Sequence, residues 1–520
     1  MLTTIRMGLA MITMGIGGPI LSAGAELPAD GVVRYSQFGA KGDGQTDDID
    51  AIVKAHQFAN EHGLPVKADD GATYYISGRS RTAVIQTDTD FGTAVFLIDD
   101  TDVENRGAQV FVVSSKLRSF KLEGVSSLRR NQEKIDVSLP GPCLVTVTDA
   151  NVRRYIRFGA NRNDGSSQTD VFLIDQDGNV DMDAPIIWDF DQITDITARP
   201  IDQEALTLTG GRFTTIANQA ESRYTYYSRG IAVQRSNVVV DGLEHRVTGE
   251  GDQGAPYSGF LNISNSAHVT VRNTILTGRK TYRTIGAAGT AVSMGSYGLS
   301  LTRALNVSFV NCGQTNDIND TKYWGIMGSN YCKNLVFDHC TFSRFDAHMG
   351  VANVTIRNST LGHQGINAIG SGTFILENTT VHGRNLINLR PDYGSTWEGE
   401  LIIRNSVFVP AGGRPVSASL IGGSHSGQHD FGYTCYLPRR VTIETLHIDD
   451  SRHPANYQGP AIFANFNRNF TSAAHVETFP YVRTGEVILE NVTTASGKPL
   501  RLSDNPYFFK DVKVTTVSDE

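Results

Sequence analysis

From about residue 200 onward, short apolar stretches return with polar residues at both ends. They read Asn237-Val-Val-Val-Asp-Gly242, His268-Val-Thr-Val-Arg-Asn273, Asn306-Val-Ser-Phe-Val-Asn311, Asn334-Leu-Val-Phe-Asp-His339 and Asn353-Val-Thr-Ile-Arg-Asn358. The series continues through Thr373-Phe-Ile-Leu-Glu-Asn378, Glu400-Leu-Ile-Ile-Arg-Asn405, Arg440-Val-Thr-Ile-Glu-Thr445 and Glu486-Val-Ile-Leu-Glu-Asn491. Successive starts lie 19 residues apart from Asn334 to Asn353 and 20 from Asn353 to Thr373, widening to 46 from Arg440 to Glu486. Short strands at this period indicate a parallel β-solenoid, because one coil cannot bury its own apolar residues whereas stacked coils align them into continuous ladders. The closing asparagines, Asn273, Asn311, Asn358, Asn378, Asn405 and Asn491, suit a turn that needs left-handed backbone and side-chain bonding to turn amides. Cys312 and Cys340 fall in the same register, which predicts a buried thiol stack.

The front of the chain breaks this period. Tyr35-Ser-Gln-Phe-Gly-Ala-Lys-Gly-Asp-Gly-Gln-Thr-Asp-Asp48 precedes an amphipathic helix over Ile49–His62, capped by Thr46 or Asp47, so Asp43, Asp47 and Asp48 read as turn and cap residues. Between 81 and 200 two related strands, Thr93-Ala-Val-Phe-Leu-Ile-Asp99 and Thr169-Asp-Val-Phe-Leu-Ile-Asp175, predict a separate β-rich subdomain. The expected organisation is therefore all-β. Residues 1–25 form a signal peptide, 26–80 the N-terminal cap and first coil, 81–200 the β-rich subdomain, and 201–510 a right-handed parallel β-helix.

The signal peptide rests on a basic start, an apolar stretch over 7–21 and Ala23-Gly24-Ala25 before Glu26. It predicts a secreted or periplasmic protein, and no later apolar run reaches the length of a membrane span. Forty-six basic against 54 acidic residues give a net charge of −8 with no polybasic tract, which excludes the usual footprint of a nucleic-acid binder. Five cysteines without CxxC spacing argue against a disulfide scaffold or zinc site, leaving at most one or two bridges. Asp175-Gln-Asp-Gly-Asn-Val-Asp181 spaces oxygens like the start of a calcium loop, but Ile186 stands where the bidentate acid belongs. A plain Asp-Gly turn is the better reading there, calcium is the one cation with a candidate loop, and no metal ligands are assigned. The sequence leaves oligomeric state open.

Candidate chemistry gathers in the tightest coils. Aligning Gly328, Gly350 and Gly370 places Met294, Met327, Met349 and Ile369 inward and turns their neighbours out. Asp346 and His348, two apart, then share an outward face with Trp324 and Ile326 of the previous coil, and Asn388 and Arg390 follow from Asn385-Leu-Ile-Asn-Leu-Arg390. Asp346, His348, His363 and Arg390 are the candidate catalytic residues. Lys322, Tyr323, Trp324, Arg344, Asn388, Asp392, Tyr393 and Trp397 are the candidate substrate-binding ones, with Trp324 and Trp397 as sugar-stacking platforms or edge covers. His425 and His429 in a Gly/Ser-rich loop lack a third ligand for a metal. Arg246, Glu250 and Asp252 form a lesser candidate wall.

The Phe-Gly-Ala-x-Gly-Asp-Gly turn with its helix resembles the N-terminal signature of the pectate-lyase-like superfamily, which implies a helix capping a right-handed solenoid. The stretch 323–371 also resembles the catalytic coils of the polygalacturonase family of pectin hydrolases, where Asn-Thr-Asp-Gly, Asp-Asp and Gly-His-Gly occupy successive coils. Lys322-Tyr-Trp-Gly325, Phe345-Asp346 and His363-Gln-Gly365 stand at those places. Asp346 matches one acid of the pair and His363 the family's histidine, while Trp324 and Phe345 replace the other two acids.

Glycoside hydrolysis needs two carboxyl groups, for which Asp346 has candidate partners in Asp317, Asp320, Asp392 and Glu398. β-Elimination from a uronate instead needs a base, such as His348, Tyr323 or Tyr331, and a cation on the carboxylate, such as Arg390, Arg344 or Lys322. The excess of cationic and imidazole groups favours cleavage of a uronate-containing polysaccharide by elimination. A glycoside hydrolase and a non-catalytic glycan-binding β-helix are the alternatives.

Overall fold

The computed structural model describes residues 27–410 and 418–517, so the signal-peptide reading of 1–25 lies outside the described residues. The repeats stack in parallel register to make one wall of a β-helix. Val240, Val271, Phe309, Phe337, Ile356, Leu376, Ile403, Ile443 and Leu489 occupy equivalent places on successive coils. A second wall runs through Phe342, Leu361, Val381, Phe408 and Ile448. A third runs through Phe345, Ile366, Ile387, Ile421 and Phe463. These residues, except partly buried Leu489, lie in one buried core, where like side chains stack between coils. Phe309 and Phe337, for example, lie 4.9 Å apart at 14°.

The asparagine turns form as the sequence predicts. Asn273, Asn311, Asn358, Asn378, Asn405 and Asn491 all have φ between +44° and +53°. Asn378 Nδ2 donates to Asn358 Oδ1 at 2.7 Å, and Asn311 Nδ2 to Asn273 Oδ1 at 2.8 Å. The asparagines that open the repeats make a second ladder, with Asn334 donating to Asn306 at 2.9 Å and Asn353 to Asn334 at 3.0 Å. A short amide tolerates left-handed backbone and bridges the coil spacing, which few other side chains do. Cys312 and Cys340 lie buried beside this column, and all five cysteines are free thiols, so the bridges allowed by the sequence do not form.

The helix spans Ile49–His62 and buries Ile49, Ile52, Ala55 and Ala59 against the first coils. Its N-cap is Asp48, neither Thr46 nor Asp47. The Asp48 carboxylate faces backward, accepting the Lys41 and Gly42 amides at 2.6 and 3.0 Å, and so ties the glycine-rich turn to the helix start.

The two look-alike strands have different fates. Thr89–Asp99 runs parallel to Leu206–Ile216 and belongs to the coils, whereas Ser166–Ile174 pairs antiparallel with Cys143–Arg154. The antiparallel sheet contains only Phe120–Lys121, Cys143–Arg154, Ser166–Ile174 and Asp195–Pro200, so the insertion is smaller than the expected 81–200. Alternating apolar residues suit either pairing, and the sequence alone does not choose between them. Asp175 accepts the Asp177 and Asn179 amides at 2.9 Å each, an Asx turn in place of a calcium loop. The insertion meets the coils through a buried ion pair, Lys333 Nζ to Asp170 Oδ1 at 2.8 Å, with each side chain 2% exposed.

Candidate functional site

Asp346 stands on the outward side of the third wall, level with Asn367 and Asn388 on the next coils. It is nevertheless fully buried. Arg344 Nη2 lies 2.6 Å from Oδ2, and Arg390 Nη1 reaches Oδ1 at 3.0 Å. Arg390 also grips Asp392 through Nε and Nη2 at 3.0 and 2.7 Å, and Arg157 of the insertion approaches the same carboxylate at 2.7 Å. Burial opposes the Arg390 charge, but Asp346 and Asp392 outweigh it and hold its pKa above the ordinary value. Trp324 lies under the Arg344 guanidinium at 4.6 Å, which closes the network from the preceding coil.

His348 occupies a bulge, since Ala347 pairs with Ser329 and Met349 with Asn330. Its Nδ1 lies 3.2 Å from Asn330 Oδ1 and its Nε2 3.3 Å from the Tyr393 hydroxyl. Burial, then the Arg390 charge, push its pKa down to about 3, so it is neutral in the fold. Asp346, His348 and Arg390 thus come together as the parity argument expects, but as a closed network with no open face on Asp346.

The glycine-based alignment does not hold: it sets the Gly328 and Gly350 coils 22 residues apart, whereas their pairing runs at 18 residues before the bulge and 19 after it. Met349 is level with Asn330, not Met327, and Met349 and Ile369 pack with Tyr155 and Tyr393 beneath the insertion. Three expected binding residues prove internal, Arg344 being tied to Asp346 and the other two aromatic. Trp397 is buried against Phe374 at 5.3 Å and donates its indole N–H to Gly372 O at 3.0 Å; Tyr393 is buried under Arg157. Lys322 is exposed and Tyr323 half-buried on the loop before Trp324. His425 is buried and stacked on Tyr481 at 4.2 Å. Among the described residues no group of three or more His, Cys, Asp or Glu side chains is arranged to hold a metal.

The open part of this face lies just past the network. A groove of about 970 Å³ is floored by Asn367 and Asn388 and walled by His363, Gln364, Arg384, Arg468 and Asp504. Asn388 Nδ2 donates to Asn367 Oδ1 at 2.8 Å, continuing the line that begins at Asp346. His363 Nδ1 lies 3.0 Å from the Ile318 carbonyl, an acceptor only, so Nδ1 is the ring's donor and Nε2 offers its lone pair. Gln364 Nε2 donates to that lone pair at 3.1 Å. Arg384 and Arg468 make no ion pair among the described residues, and the groove's one carboxylate, Asp504, is paired with Arg501. Strand parity could have found Asn367. Arg384, Arg468 and Asp504 sit at coil ends and loops, where spacing carries no signal.

The architecture is that of a parallel β-helix carrying a side insertion. No family model matches the chain. One curated relative, the capsule KL64-specific depolymerase of Klebsiella phage P510, is 34% identical over 115 residues, covering 18% of this chain and 11% of the relative. The match thus spans about a tenth of that relative's length. Among solved structures, the tailspike gp61 of Pseudomonas phage phi297 aligns with TM-score 0.57 at 12% identity, over 94% of this chain and 84% of that one. The gp54 tailspike of Acinetobacter baumannii bacteriophage AP22, solved with A. baumannii capsular saccharide, aligns with TM-score 0.52 at 12% identity over 93% and 79%. At such identity the likeness is one of fold.

Proposed function

We propose that this protein is an exported carbohydrate-active enzyme that cleaves a uronate-containing polysaccharide by β-elimination in the groove beside His363. The observation that carries the reading is the groove's composition: an imidazole whose Nε2 lone pair meets only Gln364, two guanidiniums without an ion pair among the described residues, and one already paired carboxylate. The capsular saccharide bound by the AP22 tailspike and the depolymerase name of the phage P510 relative support a polysaccharide partner. The resemblance of the N-terminal turn to the pectate-lyase-like superfamily points the same way.

In this reading Arg384 and Arg468 bind the uronate carboxylate, withdrawing charge and acidifying the C5 proton. His363 Nε2 takes that proton after Gln364 is displaced. The C5 electron pair forms the C4–C5 double bond as the C4–O4 bond breaks, and the departing oxygen is protonated by water or the imidazolium. Asp346, Arg344 and Arg390 hold the coil that presents Asn367 and Asn388 to the sugar. Their role is positioning.

A second reading, glycoside hydrolysis, draws on another cleft of about 580 Å³ between the insertion and the coils, lined by Asp149, Asp189, Asp191 and Glu398 beside Trp188. Hydrolysis needs paired carboxyl groups, and this cleft offers several, where the groove beside His363 offers one. Incubation with a panel of acidic polysaccharides separates the readings. Elimination yields the ultraviolet absorbance of an unsaturated uronate and fragments one water lighter than hydrated oligosaccharides. New reducing ends without that absorbance would overturn elimination in favour of hydrolysis. Retention on immobilised polysaccharide with neither product would leave a glycan-binding β-helix.

A further inference from the structure

A smaller hollow of about 420 Å³ adjoins the groove, and Pro391 and Ser424 line both. One of its walls is the insertion loop that follows Tyr155, carrying Arg157 and Phe158. Phe158 is 56% exposed, so its ring covers no core. Most of the ring is thus open to a ligand.

The loop that carries the ring is tied down on both sides. The Phe158 amide donates to Asp392 O at 2.9 Å, Arg157 Nε bonds the Asp392 carboxylate at 2.7 Å, and the Ala288 amide donates to Ala160 O at 3.0 Å from the far side. His429 sits 5.2 Å from the Phe158 ring, and Phe431 backs His429 at 4.6 Å, making a continuous aromatic wall. A rigid, exposed ring at the end of a polar groove is suited to the apolar face of a pyranose, at small entropic cost because the wall is already ordered. Charge distinguishes this hollow from the groove. Arg157 and Asp392 neutralise each other, whereas Arg384 and Arg468 stand unpaired among the described residues.

We infer that Phe158 and His429 form a distal subsite that stacks a neutral sugar ring of the same polysaccharide strand whose uronate occupies the groove. The inference rests on the groove being the polysaccharide site. It makes the insertion a determinant of chain length: an oligosaccharide too short to span Pro391 and Ser424 cannot use the subsite, and a longer one can. Neither Phe158 nor His429 belongs to the reacting machinery.

The test compares Phe158→Ala and Phe158→Trp with the wild type on polygalacturonate, alginate and hyaluronan, each as polymer and as size-fractionated oligosaccharides. For whichever substrate is cleaved, Phe158→Ala should raise KM about five- to tenfold on the polymer, leave kcat and the shortest cleaved oligosaccharide unchanged, and be rescued by Phe158→Trp. Equal effects on short and long substrates, or none on either, would overturn the subsite. If the wild type cleaves none of them, the elimination reading fails separately. Retention on the same immobilised polymers then decides the subsite. Earlier elution of Phe158→Ala supports it; coelution with the wild type, or no retention of either, overturns it.

Discussion

Arg390 reaches across the intervening coil to Asp346, Nη1 to Oδ1 at 3.0 Å, and with Arg344 seals a carboxylate that strand parity alone would leave facing water. Removing the anion leaves the buried Arg344 guanidinium without a counter-charge and Arg390 with Asp392 alone. Asp346→Asn should therefore lower unfolding stability by about 3–5 kcal/mol, the usual cost of breaking a buried pair from one side. An unchanged urea midpoint would show that the network contributes nothing.

Lys333 and Asp170 pose the same problem between the insertion and the coils, each side chain being 2% exposed. Lys333→Met strands the Asp170 carboxylate and should cost about 3–5 kcal/mol, while adding Asp170→Leu should recover most of it. A double-mutant cycle by chemical denaturation measures the coupling; independent, additive losses would deny the pair.

Asn358 sits at φ +51° and links Asp338 below to Asn378 above. Asn358→Ala should lose about 1–3 kcal/mol, combining left-handed strain with two missing ladder bonds. Asn358→Gly relieves the strain and should cost less. The order of the two melting temperatures is the check.

His56 is fully buried, with Nε2 2.9 Å from the Tyr35 hydroxyl, and burial pushes its pKa from 6.5 to about 3. Between those values the unfolded chain binds a proton that the folded one excludes, so stability falls on acidification from pH 6.5 toward pH 3. His348 acts in the same direction, while Asp100, pushed up to about 6 by burial, opposes it over its own range. His56→Phe should reduce the slope of stability against pH across that window by one proton. Parallel slopes in titrated denaturation curves would refute the assignment.

Arg384→Ala and Arg468→Ala should each raise KM for an anionic polysaccharide about tenfold, equivalent to ~1.4 kcal/mol, and weaken the salt dependence of binding. Salt-independent kinetics in the wild type would count against a cationic groove.

The repeat and its asparagines were sufficient for the solenoid, because stacking demands the same residue type at the same place on every coil and so writes the fold into local spacing. The helix over Ile49–His62 was legible through its amphipathic period. Parity also brought Asp346, His348 and Arg390 to one neighbourhood. What it could not supply was the cover. Arg344, Trp324 and the Arg390–Tyr393 turn close over Asp346 from different coils, and the coils there pair 18 to 19 residues apart, not the 22 that glycine spacing suggested. The open groove is likewise a tertiary product. Arg384, Arg468 and Asp504 lie far apart in loops whose conformation depends on what they pack against, as does the insertion that brings Arg157 and Phe158 to the same face. Local pattern determined the coils, and contacts between distant loops decided which part of their surface stays open to a ligand.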